Sequence, residues 1–443
     1  MAYNPGSTSK TAEDARKEMK GKERARGKIR MQEKRLFSNT FFLYLMTFST
    51  QLFSFITVPY LARILGPSVY GKIGIAQAYM AYLQIILDFG FILSATQKVV
   101  ECRNDSVQIG KIISAVFILK IMLCLVSSAV FGVIIQYNET LKTDASFYVL
   151  FMLATMINAA MPDFFYRGIE QMRMITVRTL IIKGGCAALT FLFIKSPKDL
   201  WLVPFFQLIG NFFAAIAMYF DLIHNHGIIP RKVGMGYIIA LLKDSAPFFI
   251  SRAASTVYQG LNTIILSTIY GTSPVVGYYT SADKIVSLSK SASSPIADSL
   301  YPYMLREKNY KLVRKMLSIF MPVILIGACI VFVLADPFCI LLFGNEYASS
   351  GMILRCLLPI IVIILPTYIL CFPVMVPLGL SRQANFSNVV GLITQIAGLA
   401  LLTLSKRLNV YSLCILTSVS EIMVFIFRLF TVIHHVRMSK REE

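Results

Sequence analysis

The sequence is short of charge and of the side chains that soluble enzymes rely on. Charged residues make up 15% of the 443 positions, where a soluble domain carries about 25%. There is one Trp, and there are four His. No glycine-rich phosphate loop, GxSxG elbow or HExxH pair occurs. An ATP motor, a serine hydrolase of that type and a zinc peptidase are therefore excluded. The eight cysteines (Cys102, Cys124, Cys186, Cys329, Cys339, Cys356, Cys371, Cys414) form no CxxC and lie mostly in apolar runs. There they act as small hydrophobes, with neither a disulfide framework nor a zinc site indicated. The histidines form two close pairs, His224/His226 and His434/His435, at expected span ends; they read as interfacial residues.

Apolar residues are abundant, at 56%, with a mean hydropathy of +0.66. Runs near the length of about 20 residues needed to cross a 30 Å hydrocarbon core recur along the chain. They are continuously apolar rather than alternating, so they predict helices and not barrel strands. Twelve spans are expected, at 37–62, 72–95, 110–135, 147–166, 174–194, 200–220, 246–269, 276–300, 316–336, 353–380, 385–404 and 412–432. The first, seventh and eighth are the most polar. The fold class is an all-α integral membrane protein of about 12 transmembrane helices in two six-helix lobes.

The net charge of +20 does not point to nucleic acid, because of where it sits. Eleven Lys and Arg precede residue 36, and 29 of the 43 fall in segments on the N-terminal side of the expected spans, against 7 on the other. The excess of basic residues predicts that both termini are cytoplasmic in the cell (inner) membrane. The organisation follows: a basic tail at 1–35, a first lobe at 36–225, a linker at 226–245, a second lobe at 246–432 and a tail at 433–443. The first tail reads as solvated chain, with a surface helix on anionic lipid as the alternative.

The two lobes carry an internal repeat. Thr47, Thr50, Ser54 and Thr57 in the first span step by 3, 4 and 3, which keeps them on one helix face. Arg252, Ser255, Gln259 and Asn262 in the seventh do the same, each 205 residues later. Gly66 and Gly271 close the two spans at the same offset. Gly71, Ala76 and Gln77 then correspond to Gly277, Ala282 and Asp283 at an offset of 206. Six spans per half return the chain to the same side, so the repeat is parallel, about an axis normal to the membrane.

Ionisable groups in a membrane cost at least about 2.5 kcal/mol and normally face a wet cavity or a partner. Lys120, Lys183, Arg252, Lys284 and Lys290 are the candidate cavity cations, with Gln259 and Asn262 beside them on the stripe. A cationic cleft suits an anionic ligand such as a phosphate. Asp88, Asp283 and Glu421 are candidates for coupling Na+ or H+; no other cofactor is indicated. For each, a structural partner role is the alternative.

Pro59-Tyr60-Leu61-Ala62-Arg63-Ile64-Leu65-Gly66-Pro67-Ser68-Val69-Tyr70-Gly71, then Ala76-Gln77 and Asp88-Phe89-Gly90, resembles the start of the oligosaccharide flippases. These are the Wzx-type polysaccharide transport proteins of the MOP superfamily, which also holds lipid II flippases and MATE exporters. Pro162-Asp163-Phe164-Phe165-Tyr166-Arg167-Gly168, Gly277 to Ile285 and Tyr301-Pro302 are similar to later stretches of that family. Phe164 and Tyr166 stand where the family is richer in Trp and Gln. The resemblance implies two lobes about a central cavity, and alternating access that carries a polyprenyl-diphosphate-linked oligosaccharide to the outer leaflet. It implies that Arg252 and Lys284 hold the diphosphate or acidic sugars. Partners would be membrane lipids and polysaccharide assembly proteins. A cation-coupled drug exporter and a membrane polysaccharide polymerase or ligase are the rival expectations. The first predicts acids in the cavity and the second predicts sizeable outer loops.

Overall fold

The computed structural model describes residues 7–103 and 105–442, with side chains described except at 7–37, 40, 250–252, 254–260, 302 and 439–442. Among the described residues the chain is helical, without strands. The first lobe contains α1 (Ser7–Asp88), α2 (Phe91–Glu101), α3 (Ser106–Tyr137), the short α4 (Glu139–Thr143), α5 (Ala145–Ala160), α6 (Asp163–Gly168), α7 (Met172–Phe193) and α8 (Leu202–His224). The second contains α9 (Met235–Tyr270), α10 (Pro274–Glu307), α11 (Tyr310–Val333), α12 (Ala335–Phe343), α13 (Ser350–Ile369), α14 (Ser381–Leu404) and α15 (Val410–Glu442).

Nine segments of the described residues are long and apolar enough to cross a membrane. One of them, Phe41–Glu101, has 61 residues, far more than the roughly 20 that one crossing needs. It is broken at Gly66, where φ is 70° and ψ 167°, a conformation that only glycine adopts cheaply. Two arms result. A second break follows at Phe89 and Gly90, whose φ values are 36° and 76°. The helices α9 and α10 have 36 and 34 residues, long enough to cross a membrane. They cover the expected seventh and eighth spans.

Two boundaries differ from the sequence reading. The second span runs on beyond 95 as α2, to Glu101. The break at Gly90 lets the chain bend where α9 crosses it: a Cβ on Gly90 would lie 2.7 Å from both Phe248 Cβ and Ser245 O. Nor is the segment 226–245 a loop throughout, since α9 begins at Met235. Its first turns lie against the first lobe. Ser245 and Ser94 hydroxyls are 2.6 Å apart, Lys98 pairs with Asp244 at 2.8 Å, and Phe89 stacks on Phe249. Ile238 and Leu241 are buried in the core of the first lobe.

The hydrophobic cores show how the lobes are joined. At the end of the bundle that carries Gly66, one core runs through both lobes, from Leu61, Leu65 and Tyr70 to Tyr279, Phe343 and Leu354. At the opposite, linker end there are separate cores, one around Phe91, Phe165 and Leu222 and another around Leu300, Val313 and Ile369. Burial drives association wherever apolar faces meet, so the lobes are sealed at the Gly66 end and divided at the other.

The seal follows the repeat. A Cβ on Gly71 would come 2.9 Å from the Gly277 backbone N, and one on Gly74 would come 2.5 Å from Thr280 Cγ2. Both pairs are equivalents at the 206-residue offset. Residues that touch their own equivalents lie on the symmetry axis, so the axis passes between the second arm of α1 and α10. Both turn glycines, Gly66 and Gly271, take positive φ (70° and 56°). The same seal is bonded between lobes by the Arg63 guanidinium, which donates to the carbonyls of Leu341 and Leu342 at the end of α12, and by Tyr347 Oη, which donates to Ala62 O at 3.1 Å.

Candidate functional site

Three polar cavities lie along the interior. The first, about 190 Å³, sits on the axis just inside the Gly66 seal. The second arm of α1 supplies Gln77, Tyr82 and Ile85; α9 supplies Thr263; α10 supplies Thr280, Asp283 and Lys284. Residues 280 and 284 are four apart on a helix and share a face. Lys284 Nζ donates to Gln77 Oε1 at 2.7 Å, a bond between lobes. Asp283 is the nearby acid in electrostatic reach of Lys284.

The second cavity, about 210 Å³, lies in the first lobe between the second arm of α1, α5, α7 and α8. Gln84, Asn158, Gln207, Asn211 and Lys183 line it. Lys183 is exposed, and among the described residues no acceptor or acid is hydrogen-bonded to its ammonium. Its charge is felt at Lys284, so two cations from opposite lobes, lining separate cavities, lie within electrostatic reach of one another. The third cavity, about 550 Å³, lies in the second lobe and is lined by Lys290, Asp298, Tyr368, Glu421 and Arg428. A π-helical turn, Leu370–Met375, forms part of its wall. Such turns are frequent at functional sites.

The expected site residues fall into three groups. Lys183, Lys284 and Asp283 face the cavities. Lys290 and Glu421 share the cavity of the second lobe, but as an ion pair at 2.7 Å, with Glu421 nearly enclosed. Glu421 is thus engaged by a protein cation. Lys120 and Asn262 are not at any of these surfaces. Lys120 is 5% exposed inside the first lobe, donating to Ala159 O and lying over the Phe164 ring. Asn262, 1% exposed, donates to Tyr279 Oη at 3.2 Å and Thr417 Oγ1 at 2.7 Å and accepts from Gln395 at 3.0 Å. Both are satisfied within a lobe, which corrects the expectation that they line the cleft. Its physical reason is that a helix of a lobe has two polar-tolerant directions, the cleft and the lobe interior, and sequence spacing does not tell them apart. Asp88 is buried and accepts from Gln84 Nε2 at 2.9 Å. Arg252 and Gln259 lie outside the residues whose side chains are described.

Two arginines outside the expected site are held inside the lobes. Arg178 makes a two-pronged pair with Asp163, with one prong at 3.1 Å. Arg428 is 4% exposed and donates to Ser387 Oγ, Thr367 O and Asn388 Oδ1 at 2.8–3.0 Å. Arg178 sits one turn into its span, so counting it with the preceding basic segment hid it. Among the described residues no group of three or more His, Cys, Asp or Glu could hold a metal ion.

Two like helical lobes, sealed at one end about a polar axial cleft, define a membrane transporter. The chain belongs to the polysaccharide biosynthesis protein family, whose model matches residues 36–308. It is 27% identical over 364 residues to a Shigella dysenteriae protein named as an O-antigen transporter, covering 81% of this chain and 90% of that one. It is 25% identical over 391 residues to an Escherichia coli (strain K12) protein of the same name, covering 84% and 91%. Its fold is similar to that of the lipid II flippase MurJ in an inward closed conformation (TM-score 0.70, 13% identity, 88% and 87% covered). It is also similar to an inward-facing multidrug resistance MATE transporter of the MOP superfamily (TM-score 0.66, 12% identity, 88% and 96% covered).

Proposed function

We propose that the protein is a flippase that moves a polyprenyl-diphosphate-linked oligosaccharide from the cytoplasmic to the outer leaflet by alternating access. It is a transporter, not an enzyme. The observation that carries this reading is that Lys183 and Lys284, cations of opposite lobes at two interior polar cavities, lie within electrostatic reach of one another in a chain of this family. In low dielectric, two ammonium groups within reach of one another repel, and an anion between them relieves both. A diphosphate has that charge, and sugars suit the amide-rich wall of Gln77, Gln84, Asn158, Gln207 and Asn211. The cavities are too small and too divided for an oligosaccharide in this state, so loading requires the lobes to part. Division of the cores at the linker end makes that the easier end to open.

The basic N-terminal tail favours placing the linker end in the cytoplasm of the cell membrane. The Gly66 seal is then the outer gate. Coupling to Na+ or H+ would fall to Asp283, since Glu421 is paired with Lys290. Polysaccharide assembly proteins are the expected partners downstream. A cation-coupled exporter of small molecules is the second reading, favoured by the presence of Asp283 in the axial cavity.

The test is the sidedness of lipid-linked oligosaccharide in cells depleted of the protein, read with a glycan-modifying enzyme that cannot cross the membrane. The expected result is accumulation of lipid that stays protected until the membrane is opened. Full accessibility from outside would show that flipping proceeds without this protein.

A further inference from the structure

An apolar groove of about 450 Å³ runs along the outer surface of the first lobe between α7 and α8. Its floor is opened by Gly185, where an added Cβ would meet nothing within 4 Å. Ile181 and Phe213, 69% and 65% exposed, form its rims. Directly behind it lies the polar cavity of the first lobe. Arg178, Ile182 and Cys186 line both spaces, so a single layer of side chains separates lipid from the polar interior. That layer is thin because Gly210 faces it: a Cβ there would lie 3.3 Å from Ile182 Cγ2.

We propose that this groove seats the polyprenyl tail of the lipid-linked substrate while the diphosphate lies behind it, against Lys183. The assignment rests on the flippase reading and adds to it the path taken by the tail. The groove follows α7 from Met174 to Leu189, about 22 Å at 1.5 Å per residue. That is most of a hydrocarbon core of about 30 Å, so a chain lying along it stays at membrane depth throughout. An amphiphile with a long apolar tail and an anionic head matches both sides of the wall at once. The apolar groove takes the tail, and Lys183, with no acidic partner among the described residues, takes the head. An ordinary phospholipid matches the groove alone, because its head sits at the membrane surface and not behind α7.

The test uses the full chain in vesicles of phosphatidylethanolamine and phosphatidylglycerol, with a photoreactive polyprenyl diphosphate that carries no sugar. Labelling is expected to concentrate on α7 and α8 peptides, to be competed by unlabelled polyprenyl diphosphate, and to resist the same amount of phosphatidic acid. Gly185→Leu, which fills the floor, and Ile181→Trp, which narrows the rim of an exposed position, should each reduce labelling to the level seen on lipid-facing α3. Gly132→Leu on α3, also open around its Cβ, should change nothing. Labelling spread over α3 as densely as over α7 and α8, or displaced equally by phosphatidic acid, would overturn the tail assignment. So would full labelling of folded Gly185→Leu and Ile181→Trp proteins. None of these outcomes bears on sidedness in depleted cells, so the tail path and the flippase reading fail separately.

Discussion

Replacement of Gly277 by Ala should open the Gly66 end. An ideal Cβ there would stand 2.6 Å from the Pro67 carbonyl carbon and 2.9 Å from its Cα. The Pro67 carbonyl oxygen is nearer still, and ordinary contact begins at 3.4 Å, so the two backbones must separate by more than about 0.8 Å. No rotamer change relieves the clash, because the obstructing atoms are backbone on both sides. Overpacking of this kind costs about 1–3 kcal/mol. The strain exists only while the second arm of α1 touches α10, so it is charged to the sealed state alone. At about 2 kcal/mol the equilibrium moves some 30-fold toward opening, at 1.4 kcal/mol per tenfold. Thr280, 5% exposed just inside the seal, reports this. A Thr280→Cys protein should be nearly inert to a membrane-impermeant maleimide, and Gly277→Ala should raise its labelling rate severalfold. The peptide is identified by mass spectrometry so that the eight native cysteines do not interfere. Gly132→Ala serves as the control. A folded Gly277→Ala protein labelled at the parent rate, with parent transport, would refute the idea that this contact is a closed gate.

Three further outcomes follow from the charges. Glu421→Gln removes the acid of the Lys290 ion pair in the second lobe and should cost about 3 kcal/mol, read as a lowered Tm in detergent. Adding Lys290→Met should recover most of the loss, and no recovery would mean that the pair is not the source of the effect. Asn262→Leu removes three hydrogen bonds in a buried network and should cost about 2 kcal/mol of stability, while transport per folded molecule stays unchanged; a selective transport defect would return Asn262 to the cleft. Lys284→Gln keeps a polar contact to Gln77 but removes charge, and a charge-assisted bond to phosphate is worth about 1.5–3 kcal/mol. Transport of lipid-linked oligosaccharide should therefore fall at least about tenfold without loss of folded protein, and parent activity would remove Lys284 from the site.

The helices and the repeat were legible in sequence because each rests on local periodicity. Apolar runs of membrane length specify spans wherever they lie, and the 205- and 206-residue offsets fall on Gly66/Gly271 and Gly71/Gly277, which take matching roles as turns and as the close contact. The kink at Gly90 was not legible. Asp88-Phe89-Gly90 reads as one short motif, while its geometry is set by α9 crossing 155 residues later, where Ser245 and Phe248 press on the glycine. The same limit applies to Lys120 and Asn262. Periodicity placed Asn262 on a polar face and charge alone marked Lys120, but whether such a residue meets the cleft or a neighbouring helix is decided by tertiary packing. The ion pairs Lys290–Glu421 and Arg178–Asp163 join residues 131 and 15 apart. No local pattern forecasts the first, and a span boundary drawn through the second concealed it.

The pattern of pairing separates structural charge from functional charge. Within each lobe, buried cations are engaged where they sit: Arg178 with Asp163 in the first and Lys290 with Glu421 in the second meet acids, while Lys120 and Arg428 give their hydrogen bonds to neutral acceptors. Unpaired charge in hydrocarbon is costly enough to be removed wherever it has no use. Lys183 differs in the first lobe, where its exposed ammonium has no hydrogen-bonded acceptor among the described residues, and in the second Lys284 gives its hydrogen bond to a neutral amide of the other lobe, across the cleft. Both belong to the space that must open and close. Pairing either lysine with an acid on its own lobe would make the cleft neutral and leave an anion nothing to bind. Introducing Asp at Thr179, one turn before Lys183 on α7 and on the wall of the same cavity, creates such a pair. Transport should then fall as far as it does in Lys183→Gln, while Tm holds or rises, since an i, i+4 acid and base support a helix. Undiminished transport in that variant would mean that the free charge of Lys183 is not what the cleft requires.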